Sequence, residues 1–73
     1  MIFKTTTSVY KLEQEHETFI LTKTNILKDR GSSVPVGKKD EGNKVLIKDG
    51  QLFLHQSEYM VAKTSAITEI IEA

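Results

Sequence analysis

The chain contains no cysteine. Neither a disulfide nor a thiolate zinc site can brace it, and at 73 residues that matters. A domain of this length buries only about 60–65% of the surface its unfolded chain exposes, so its stability is marginal. Close packing has to supply that stability, or a core extended by self-association. No sign of charge dominates either: ten basic residues face ten acidic ones, and the pI is near 6.7. Whole-protein charge therefore gives no general pull toward nucleic acid or an anionic membrane. Long hydrophobic runs are missing as well. "FIL" at 19–21 and "VLI" at 45–47 fall far short of the roughly 20 residues a spanning helix needs. The opening "MIFKTTTSVYK" lacks the apolar stretch of a secretory signal. The expectation is a soluble, cytoplasmic protein of one small domain spanning 1–73, with no membrane partner.

What is present leans toward β-structure. Eight threonines accompany many Ile, Val, Phe and Tyr residues, types that fit a pleated surface. A first strand is expected from about Ile2 to Leu12, with Ile2, Tyr10 and Leu12 on one face and Phe3 and Val9 on the other. The charged "EQEHE" (13–17) reads as a turn, and "TFILTKTNIL" (18–27) as a second strand pairing antiparallel with the first. In "VLIKDGQLFLHQ" (45–56), Asp49-Gly50 between apolar runs marks a two-residue hairpin turn. "EYMVAK" (58–63) gives another short strand. "TSAITEIIEA" (64–73) fits two patterns. Its isoleucines have i, i+3, i+4 spacing and Ser65 could cap a helix, but their β-branching and the short length favour a strand. Five or six short strands predict a mainly β chain folded as a small antiparallel roll or SH3-like barrel, with a short C-terminal helix as the alternative ending.

Between the second strand and the Asp-Gly hairpin lies "KDRGSSVPVGKKDEGNK" (28–44). It holds three of the four glycines and the only proline, Pro35. With no apolar period, it reads as a long flexible loop, and such loops in small domains are usually functional or disordered. Lys28, Arg30, Lys38, Lys39 and Lys44 outnumber Asp29, Asp40 and Glu41, so the segment carries +2 and the remainder −2. The five basic residues are candidate partner contacts. A solvated connector whose glycines only supply turns is the competing interpretation. The segment lacks the Gly-Lys-Ser/Thr ending of a phosphate loop.

Catalytic and metal signatures are sparse. His16 sits among Glu13, Glu15 and Glu17, but in an extended segment the glutamates share a face that the histidine leaves. His55 has no acidic neighbour before Glu58, and no Gly-x-Ser-x-Gly elbow occurs. The expectation is a protein that is not an enzyme and carries no cofactor and no metal. Of five aromatic rings, Tyr10 and Tyr59 are the candidates for partial exposure, because a phenol hydroxyl seeks water or a partner. Stacking on single-stranded bases would require rings on one sheet face beside basic residues, and Lys11 and Lys63 lie near the two tyrosines in sequence.

The phrases "FKTTTSVYKL" and "KTSAITEI" together resemble the opening and closing strands of small β-rich proteins encoded by phages and mobile elements. Ser8-Val9-Tyr10 matches their Ser-x-Tyr, and Thr64-Ser65 matches the start of their Thr-Ser-Pro-Val, with Ala66 in place of the proline. The resemblance implies a viral or mobile-element accessory protein that works in the host cytoplasm by binding a host factor. The leading expectation is thus a non-catalytic interaction module whose partner is a protein, as an inhibitor of a host enzyme or in a homo-oligomer. A small nucleic-acid-binding barrel using the basic 28–44 loop is the alternative.

Overall fold

The computed structural model describes residues 1–27 and 35–72. Within them the chain is all-β: eight short antiparallel strands in two sheets, with no helix. They are β1 (Ile2–Thr5), β2 (Ser8–Glu15), β3 (Thr18–Ile26), β4 (Lys39–Gly42), β5 (Lys44–Lys48), β6 (Gln51–Gln56), β7 (Tyr59–Lys63) and β8 (Ile67–Ile71). A five-stranded sheet runs β4-β3-β2-β1-β8, and a three-stranded sheet runs β5-β6-β7. Eight strands form where five or six were expected, in an arrangement compatible with the expected small antiparallel roll or barrel. Phe3 and Leu21 of the larger sheet and Leu52 and Leu54 of the smaller one make a shared buried core.

The expected first strand is two strands. Phe3 pairs with Tyr10 across a reversal at residues 5–8, so both rings turn to the core from what looked like opposite faces. Thr5 causes the reversal. Its Oγ1 accepts the amide of Ser8 at 3.0 Å and that of Thr7 at 3.4 Å, and donates to the Ser8 carbonyl at 3.0 Å. A threonine side chain that captures nearby backbone groups competes with continued extension.

β2 also runs further than expected, to Glu15, leaving only His16 and Glu17 as the turn into β3. The Asp49-Gly50 turn forms as predicted, with φ of 53° and 73° and Lys48 paired to Gln51. The helical alternative for the C-terminus is overturned. Ile2 pairs with Ile71 and Phe3 with Ile70, so the β-branched run extends the larger sheet.

The expectation of one flexible loop across 28–44 is corrected in its second half. Lys39–Gly42 forms β4, paired to β3 from Phe19↔Gly42 to Thr22↔Lys39, and Lys44 already belongs to β5. Residues 28–34 lie outside the described residues. β4 and β5 are nearly one strand that leaves one sheet and joins the other at Asn43. There the Asn43 amide donates to the His55 carbonyl at 2.9 Å, and the Asn43 side-chain oxygen accepts the Ser57 amide at 2.9 Å. Gly42 permits this corner. A Cβ on it would collide with the His55 carbonyl and lie 2.9 Å from the Leu54 side chain.

Residues 64–66 make the second crossing between sheets. The Thr64 amide donates to Leu52 O at 3.0 Å, and the Leu52 amide donates to Thr64 Oγ1 at 3.1 Å. The Thr6 amide reaches Ala66 O at 3.0 Å. Among the described residues, no helix is long and apolar enough to cross a membrane.

Candidate interaction face

The smaller sheet has two unlike faces because its strands alternate. Leu52 and Leu54 of β6 are fully buried, which sends Phe53 and His55 outward. Register then fixes their neighbours. Leu46 of β5 lies across from Phe53, and Lys63 of β7 lies across on the other side. One pair further along, Lys44 and Met60 flank His55, and Lys48 faces Gln51 next to the turn. Phe53 thus stands at the middle of the central strand, with an aliphatic wall on one edge and a cation on the other. The Lys63 ammonium lies 5.9 Å from the centre of the Phe53 ring, within cation–π reach. Leu46 and Met60 are exposed, and a shallow recess of about 380 Å³ opens among Leu46, Lys48, Asp49, Phe53, His55 and Met60.

Charge separates the two sheets. On the larger one, Lys4 pairs with Glu69 at 3.3 Å and Lys11 with Glu13 at 3.7 Å. On the smaller one every charged residue within a strand is a lysine: Lys44, Lys48 and Lys63. Among the described residues, none of the three has a carboxylate within ion-pair distance. The acids of this sheet, Asp49 and Glu58, stand in its turns. A neutral chain therefore carries one face with an aromatic and aliphatic middle and a basic rim.

The residues singled out from sequence do not form one patch. Lys28 and Arg30 lie outside the described residues. Lys38 precedes β4 and leans on Asp40 at 3.7 Å, while Lys39 starts β4 opposite Thr22 on the larger sheet. Only Lys44 joins the face just described. Tyr10 packs half-buried against the core and lines a smaller recess with Leu21, Lys38, Asp40 and Lys63. Tyr59 is 78% exposed at the start of β7, paired with Gln56 beside the β6–β7 turn. Among the described residues, no group of three or more histidines and acids is placed to hold a metal ion.

Sequence reasoning missed Phe53, Leu46, Lys48, His55, Met60 and Lys63 as a group. The signal was there in part: the alternation of "QLFLH" and the Asp-Gly register already set Leu46 opposite Phe53 on one face. It could not tell which face met the core, because both carry large apolar side chains. Lys23 was also missed. It is 3% exposed and continues the inward parity of Phe19 and Leu21, so the core side of β3 ends on a buried lysine. Comparison of the chain with protein-family models, curated proteins and solved structures finds no match.

Proposed function

We propose that the protein is a non-catalytic interaction module that binds a macromolecular partner through the outward face of β5–β6–β7. The observation that carries this reading is the set of exposed apolar side chains around Phe53, ringed by lysines that have no acid partner. Burying Leu46, Phe53 and Met60 would supply the favourable free energy, and the lysine rim would orient the partner and exclude those of like charge. The sequence points first to the 28–44 segment as the contact. We assign that role to the smaller sheet instead, where exposed apolar side chains and lysines lie together, and of the five basic candidates only Lys44 lies on that face.

A second copy of the chain is a poor occupant of this face. A twofold contact of this face on itself would bring two lysine rims together, with only Asp49 and Glu58 of the turns to offset them. The module therefore acts on a different molecule. A viral or mobile-element origin, which the terminal phrases imply, would make that molecule a host component.

The test is affinity capture from a cell extract with wild type, Phe53→Glu and, on the larger sheet, Glu13→Gln. Each variant is first checked for unchanged strand content and melting. Partners held by wild type and by E13Q but lost by F53E support the reading. Partners held equally by F53E remove this face from the account.

A further inference from the structure

We infer that the partner of this face is single-stranded nucleic acid, with a base seated on Phe53. This rests on the face being the binding surface, as proposed above, and names what binds there. A nucleotide offers three things at once: a flat aromatic plane, a phosphate and an edge of hydrogen-bonding groups. The face offers a counterpart to each. Phe53 supplies a ring at the centre of a sheet surface, where stacking accepts any base. Leu46 and Met60 wall the recess beside it, and its volume of about 380 Å³ has room for one nucleotide. Lys44, Lys48 and Lys63 surround the ring on three sides along the strands, where phosphates on either side of a stacked base would run.

Asp49 favours a nucleotide over an acidic peptide. It lines the recess together with Lys48 and His55. An acidic protein segment would bring carboxylates against it. A base brings N–H donors that its carboxylate can accept, while the phosphates stay with the lysines. The neutral total charge does not weigh against this, because the strands of the larger sheet mix lysines with acids, Lys4 and Lys11 in ion pairs among them, whereas the charged residues in the strands of the smaller sheet are all lysines. Duplex is a poorer fit, since its bases are already stacked and present no plane to Phe53.

The test is fluorescence anisotropy of a labelled oligothymidylate of about ten nucleotides, within the site size of small β-domains. The full chain is titrated against it, against a duplex of the same length and against labelled polyglutamate. With three lysines on phosphates, the slope of log K against log salt is about −2, so affinity falls roughly twentyfold between about 50 and 200 mM salt. F53A weakens binding roughly tenfold or more at every salt concentration. K48Q reduces the slope to about −1.4, and Lys11→Gln on the larger sheet changes neither. The duplex binds more weakly than the single strand.

No binding to oligothymidylate at the lowest salt overturns the inference. If polyglutamate then binds and F53A abolishes it, the face stands and its partner is an acidic protein. Oligothymidylate binding that ignores both F53A and K48Q overturns the inference and the proposed face together.

Discussion

Thr7 Oγ1 and Ser65 Oγ lie 2.6 Å apart although 58 positions separate them in the chain. Their hydroxyls belong to a directed chain of hydrogen bonds. The Thr5 proton goes to the Ser8 carbonyl at 3.0 Å and the Ser65 proton goes to Thr5 Oγ1 at 3.1 Å, so Thr7 must be the donor to Ser65. This chain ties the β1–β2 reversal to the crossing between β7 and β8. The terminal phrases "FKTTTSVYKL" and "KTSAITEI" thus meet in space, and together they join the two ends of the fold.

Thr5→Val should therefore destabilise the fold by about 2–3 kcal/mol, because the buried Ser8 amide loses its acceptor while the shape is kept. Ser65→Ala, which removes one link and leaves Thr5 Oγ1 to its backbone donors, should cost about 1 kcal/mol. Urea unfolding of the two variants measures both. Equal small losses would mean that the network is peripheral to stability.

Two glycines should respond to alanine for different reasons. Gly42→Ala should cost about 2–3 kcal/mol by collision with the His55 carbonyl and Leu54, and should loosen the β4–β5 corner. At Gly50 a Cβ meets nothing within 4 Å, but φ is +73°, so Gly50→Ala should cost only about 1 kcal/mol. Gly50→Asn should recover part of that loss, since asparagine tolerates this region, whereas no side chain rescues position 42. Thermal melts of the three variants check the ordering.

His16 and Ser57 each hold a positive φ of 57° at the first position of a two-residue turn. Glycine there relieves the backbone strain, so Ser57→Gly should stabilise the fold by about 0.5–1 kcal/mol. The Ser57 amide that bonds Asn43 is retained in this variant. A lower melting temperature for S57G would contradict the turn geometry.

Thr22 Oγ1 is buried and has no hydrogen-bond partner among the described residues. Thr22→Val replaces the hydroxyl with a methyl group of similar shape in the middle of β3, and should stabilise by about 1 kcal/mol. A denaturation midpoint below that of wild type would show that the hydroxyl has a use the structure does not display.

Local chemistry was the legible part of the sequence. Asp49-Gly50 named its own turn, and the β-branched density named the fold class. What the letters hid was non-local. Thr5 looks like one threonine in a strand of threonines until its hydroxyl is seen to bond Ser8 and Ser65. Lys39 and Asp40 look like loop residues because a short edge strand such as β4 is held by β3, not by an apolar pattern of its own. The candidate face was half readable for a related reason: alternation placed Leu46, Phe53 and His55 together, but only the second sheet, arriving through Gly42 and residues 64–66, decides that Leu52 and Leu54 face inward.

Whether a strand binds on the outward face of β5–β6–β7 is read most directly from backbone amide shifts of the labelled protein as oligothymidylate is added. The largest changes should fall at Leu46, Lys48, Phe53, His55, Met60 and Lys63, with Lys4, Lys11 and Glu13 unmoved. Changes centred on β1 and β2, or none up to saturating oligonucleotide, would contradict binding at this face.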